Sequence, residues 1–236
     1  MTRTVAFGTV LVTLAVVNVW VHLGPRRAHV LTGPLAALFL LAVGRAAGLS
    51  WEALGLGAGS LARGIRWGGI CAGLVIAGYA VALAVPATHR FFRDTRYRLG
   101  TGPAVATAFL AVPLGTVVFE EVAFRSVLWG LIEEAAGVAW ATAGTSLLFG
   151  MWHVLPALDL ARTNTAVAGS GREARLAVAV LGTVLFTVAA GVLFAELRRR
   201  SGSLLAPALL HWATNAAGVL GSALVWALSR RSRPAG

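Results

Sequence analysis

The chain has no lysine, a single cysteine and few charges of any kind. All 20 of its basic residues are arginine, which excludes chemistry that depends on a lysine amine, such as a Schiff base or a serine and lysine dyad. Cys71 stands alone, so neither an intrachain disulfide nor a thiolate zinc cluster can form, and a buried inert thiol is the plain reading. Charged residues occupy 12% of 236 positions, about half the share a soluble domain carries. The 20 basic and 9 acidic side chains are too few to cover a water-facing surface for 24.4 kDa of protein. Disorder is excluded as well, since 58% of the residues are hydrophobic.

Uncharged apolar sequence fills the chain instead. Between successive Asp, Glu or Arg residues lie the runs 4–25, 28–44, 67–89, 99–119, 135–158, 176–195 and 201–229, of 22, 17, 23, 21, 24, 20 and 29 residues. A helix needs roughly 20 apolar residues to cross about 30 Å of hydrocarbon. The sequence therefore predicts an all-α fold, a polytopic integral membrane helical bundle of about seven transmembrane helices in a cell membrane. Barrel strands would be shorter and would alternate in polarity. Gly24, Pro25 and Arg26 follow the first run without a small-residue cleavage site, which predicts a retained anchor and not a signal peptide. With no repeat and no long linker, the chain reads as a single domain over 1–236, with a motif-bearing core at about 103–228.

The net charge of +11 points to an anionic partner. Because the arginines sit in short clusters between apolar runs, membrane lipid is expected and nucleic acid is not. The stretch 87–102, with Arg90, Arg93, Arg96 and Arg98 among Phe91, Phe92 and Tyr97, reads either as a segment lying on the lipid surface or as a solvated basic loop. Arg26, Arg27, the four arginines of 90–98, Arg162, Arg172, Arg175, Arg230, Arg231 and Arg233 make 12 on one side of the membrane. Arg3, Arg45, Arg63, Arg66 and the three of 198–200 make 7 on the other, so the positive-inside rule places the C-terminal side in the cytoplasm.

A charged side chain in hydrocarbon costs at least ~2.5 kcal/mol on insertion scales, so ionisable residues inside apolar helices are functional candidates. Three stretches qualify. In the first, Glu120, Glu121 and Arg125 lie within a helix expected from about Pro103 to Leu131. Glu121 and Arg125 are four apart and can pair on one face, whereas Glu120 points about 100° away and is left to hold a water. In the second, Phe149 precedes His153 by four; in the third, His211 precedes Asn215 by four, so imidazole and amide share a face. Each motif also has a plain reading: a helix end meeting water, a histidine packed on a carbonyl, or a His and Asn pair knitting helices together. Their coincidence in three apolar helices predicts one buried polar cavity.

The pattern EExxxR, then FxxxH, then HxxxN resembles that of the CPBP family, also called Abi or CAAX-protease-like, which includes the Rce1-type prenyl-protein endopeptidases. Order and spacing agree from Glu120 to Asn215. The resemblance implies an intramembrane endopeptidase acting on a membrane-associated peptide or protein, of which a prenylated CAAX-like substrate is one kind. It implies Glu120 as the base that activates water, His153 as a residue orienting that water, and His211 with Asn215 as the oxyanion site. Glu121, Arg125 and Phe149 would support them. Family members have been described as metalloproteases and as glutamic proteases. Glu120, His153 and His211 could supply three zinc ligands, but the glutamate route, which requires no cofactor, is favoured.

Other intramembrane proteases fit less well. An aspartyl type needs two buried aspartates, and Asp94 and Asp159 fall in loops or at a helix end; a site-2 type needs HExxH, which is absent. A rhomboid type needs GxSG, and Gly144-Thr145-Ser146-Leu147 lacks the last glycine. The competing function is non-catalytic: an immunity factor, scaffold or transporter component using the same buried groups for packing.

Overall fold

The computed structural model describes residues 1–23, 29–163 and 172–231. Gly24, Pro25, Arg26, Arg27 and Arg233, on which parts of the topology reading rest, lie outside the described residues. The described residues are mostly helical and contain no β-strand. Its helices are α1 (Arg3–Leu23), α2 (His29–Ala46), α3 (Leu61–Ala84), α4 (Thr101–Ala136), α5 (Val138–Trp152), α6 (Val154–Thr163), α7 (Arg172–Ser201) and α8 (Leu205–Arg231). Six helical stretches are long and apolar enough to span, and α2 adds a shorter apolar helix over Val30–Ala46. The expected seven crossings are thereby accounted for, with α6 a short continuation of α5, and the protein is a multi-pass membrane protein.

Helix α4 is the axis of the bundle. Every residue from 119 to 131 is buried, so this stretch is enclosed on all sides, as a central helix must be. Ala6, Val10, Leu14 and Val17 of α1 and Ala37, Leu40 and Val43 of α2 form helical stripes packed on its Phe119, Val122, Ala123 and Val127. The opposite faces carry exposed Val12, Val16, Leu35, Leu38, Leu74, Leu181 and Leu185, an apolar outside that suits lipid contact.

The segment 99–119, read as one charge-free run, continues through the buried charges to Ala136, because those charges are met by protein. Within α4 the backbone widens into π-turns at Thr107–Ala111, Pro113–Val117 and Val122–Leu128. Pro113 has no N–H for the i→i−5 bond to the Ala108 carbonyl. Trp212 Nε1 of α8 donates to that carbonyl instead, at 2.9 Å. The same exchange occurs at Pro156, which cannot donate to the Trp152 carbonyl. Asn18 Nδ2 of α1 donates there at 3.0 Å, and the helix breaks at His153 between α5 and α6. Gly137 (φ 85°) turns the chain from α4 straight into α5.

After Pro86, residues 86–92 and 95–97 form 3-10 turns that join α3 to α4.

Candidate active site

Of the four expected catalytic residues, Glu120 lies on α4, His211 and Asn215 on α8, and His153 at the break between α5 and α6. Glu120 and Glu121 lie on α4 and His211 two turns into α8, 90 residues later in the chain. Glu121 and Arg125 are 1% and 0% exposed, Glu120 and His211 5% each. His211 is the bridge: its Nδ1–H donates to Glu121 Oε1 at 2.7 Å, while its Nε2 faces Glu120 Oε2 at 3.7 Å. The carboxylate on Nδ1 fixes the ring's orientation and, in the neutral imidazole, its tautomer, leaving Nε2 to exchange a proton.

Arg125 pairs with Glu121 as its spacing suggested, Nη1 to Oε1 at 3.5 Å. Its guanidinium also lies over three phenyl rings, 3.9 Å from the centroid of Phe149, 4.9 Å from Phe194 and 5.7 Å from Phe124. Such contacts, where water is excluded, are worth about 2 kcal/mol. The cage holds the charge where one carboxylate oxygen cannot do so alone, and Arg125 Nε and Nη2 have no protein acceptor.

Glu120 has a partner that the helical period did not reveal. Trp152 Nε1 donates to Glu120 Oε1 at 3.0 Å, while Oε2 is buried without a hydrogen-bonding protein partner. One oxygen is pinned and the other is aimed at His211.

Phe149 ties the second motif to the third. Its ring meets His153 edge to face at 4.5 Å and His211 at 6.0 Å, and Phe194 of α7 stacks on His211 at 5.2 Å with 28° between planes. His153 lies on this aromatic path, at the break between α5 and α6. Its backbone (φ −87°, ψ 4°) occupies the sparsely populated bridge region. His153 Nδ1–H donates to the Phe149 carbonyl at 2.8 Å, which leaves Nε2 as the acceptor. Asn215, one turn beyond His211, is half-buried.

The donor set does not fit a metal as it stands. Among the described residues no three His, Cys, Asp or Glu side chains are grouped to hold an ion, so Glu120, His153 and His211 do not form a ligand triad. Ser146, the weak serine alternative, is buried with its hydroxyl unpartnered against the backbone of Gly191.

Trp152, Phe194 and Trp212 are functional neighbours that sequence reasoning missed. Tryptophan and phenylalanine are ordinary in a lipid-embedded chain. Only the adjacency of Trp152 to His153 and of Trp212 to His211 could have marked two of them.

Fold and site together define a multi-pass helical membrane protein with a buried carboxylate and imidazole centre. Residues 102–217 match the family model described as type II CAAX prenyl endopeptidase Rce1-like. Over this segment the chain is similar to the Rce1-like family, which supports a CAAX-type membrane endopeptidase as its general class. No curated protein and no solved structure matches the chain significantly.

Proposed function

We propose that the protein hydrolyses a peptide bond of a membrane-anchored substrate with a water activated by Glu120 and His211. The observation that carries this reading is the facing pair, Glu120 Oε2 and His211 Nε2 at 3.7 Å, with the far side of each group held by Trp152 and Glu121. Arg125 and Glu121 balance one another.

A water hydrogen-bonded to Glu120 Oε2 loses a proton to the facing pair as its oxygen attacks the scissile carbonyl carbon. The carbonyl electron pair moves to oxygen, where the Asn215 amide, on the same face of α8, donates to the oxyanion. The proton then passes to the leaving nitrogen as the carbon–nitrogen bond breaks. His153, with Nε2 open, orients the water or the peptide from the other side.

The test is Glu120→Gln, nearly isosteric but unable to take the proton. Cleavage of a membrane-anchored peptide by the purified protein is expected to fall by at least about 10²-fold, with the melting profile kept. Parental turnover in this variant would end the mechanism. Exhaustive chelation is expected to leave cleavage intact. Loss under chelation with recovery on added zinc would instead make His153 and His211 metal ligands.

A further inference from the structure

A cavity lies away from the catalytic groups. It holds about 680 Å³ between α3 and α8 beneath the 3-10 segment, and its walls include Val75, Gly78 and Tyr79 of α3, Phe92 and Tyr97 of the segment, and Gly218 of α8. Gly78 is exposed, so the cavity opens at hydrocarbon depth. Val75 lies nine residues before the end of α3 at Ala84, which carries the cavity about 14 Å inward from the surface segment. Its volume is in the range of about 300–1,000 Å³ that holds a specific small ligand.

One short segment supplies both the wall and a collar of charge. Phe91, Phe92, Asp94 and Tyr97 line the cavity, while Arg90, Arg93, Arg96 and Arg98 flank them and are exposed. Asp94 is committed: it is buried and takes Arg96 Nη2 at 2.7 Å and the Arg96 backbone N–H at 2.9 Å. Arg90 and Arg98 rest over the rings of Phe91 and Trp226, at 4.8 and 5.2 Å. Among the described residues Arg90, Arg93 and Arg98 form no salt bridge. Burial pushes the Tyr97 hydroxyl up, so that wall is neutral. Phe91 is 57% exposed, an apolar side chain set at the lipid boundary.

We infer that this cavity is a specific site for one anionic phospholipid, with an acyl chain between α3 and α8 and the phosphate against Arg90, Arg93 and Arg98. A neutral lipid would fill the apolar wall and leave three cations unanswered; a free phosphate would answer the cations and leave the apolar wall empty. The site is distinct from the catalytic centre, but the two share one stripe of α8: His211, Asn215, Gly218 and Ser222 succeed one another at helical spacing.

Native mass spectrometry of the full chain, transferred from mixed phosphatidylglycerol and phosphatidylcholine vesicles into detergent, tests the proposal. One phosphatidylglycerol is expected to remain bound per chain, preferred by about 100-fold, since each of the three surface arginines contributes about fivefold. R90Q/R93Q/R98Q should abolish the preference, and R90K/R93K/R98K should keep most of it. Gly78→Leu, at a lining position where an added Cβ meets no atom within 4 Å, should plug the cavity and release the lipid with the arginines intact. Equal retention of both lipids, undiminished binding in Gly78→Leu, or displacement by millimolar inorganic phosphate would each overturn the inference. Thermal melting of each variant separates lost binding from lost fold.

Discussion

The indole of Trp152 makes the most consequential single contact in the molecule outside the motifs. By donating to Glu120 Oε1 it leaves one carboxylate oxygen for chemistry. A hydrogen bond to a charged group is worth about 1.5–3 kcal/mol. Trp152→Phe is therefore expected to lower kcat by roughly 10- to 100-fold with KM little changed, measured by steady-state cleavage. Arg125→Met fills the phenyl cage but strips Glu121 of its cation. Losing one partner of a buried pair costs about 3–5 kcal/mol, and a large fall in melting temperature is expected. The acids, the histidines and Asn215 were legible because such groups are expensive in hydrocarbon. The helical period also paired Glu121 with Arg125. It could not show that His211 takes Glu121 as its acceptor, because that depends on how α8 is rotated against α4.

At the scale of elements, two prolines and two glycines decide how the helices meet. Pro113 and Pro156 each free a carbonyl that a side chain from another helix claims, Trp212 in one case and Asn18 in the other. Both bonds lie beside site residues, so they locate His211 and His153 along their axes. Gly150 and Gly191 bring α5 and α7 close. A Cβ at Gly150 would stand 3.1 Å from the Val184 carbonyl oxygen, and one at Gly191 would stand 3.0 Å from Ser146 Cα. Gly191→Val is expected to destabilise the fold by about 1–3 kcal/mol through overpacking, read as a lowered thermal midpoint. Helix existence was readable from charge-free runs, and the expected Pro103 to Leu131 helix falls inside Thr101–Ala136. Its π-turns were not readable, since they depend on donors arriving from α8 and on packing against α2. Arginines Arg63 and Arg66 hid the true start of α3 at Leu61, being tolerated in its first turns at the surface.

For the whole molecule, seven crossings put the loop after α2 and the segment before α4 at opposite ends of the bundle. In a Cys71→Ala background, Ser50→Cys and Gly100→Cys should react with an impermeant thiol reagent from opposite sides of sealed vesicles. The arginine-rich Gly100 side is expected to face the cytoplasm. Labelling of both from one side would remove a crossing and reverse half the topology. The apolar outside and the number of spans were legible in the sequence because lipid demands them residue by residue. Which helix lies at the centre was marked only by the charges inside α4, since enclosure on every side is a matter of packing.

The distance along the chain between Glu121 and His211 has a consequence for biosynthesis. A ribosome feeding this chain into the bilayer delivers two acids and an arginine on α4 long before the imidazole that joins them, 90 residues downstream. During that interval the nascent helix carries side chains that cost about 2.5–3.5 kcal/mol each at the bilayer centre. Early helices must therefore wait near the insertion machinery, shielded, until the last one is made, and chains halted before Leu205 should be extracted and degraded far sooner than finished ones.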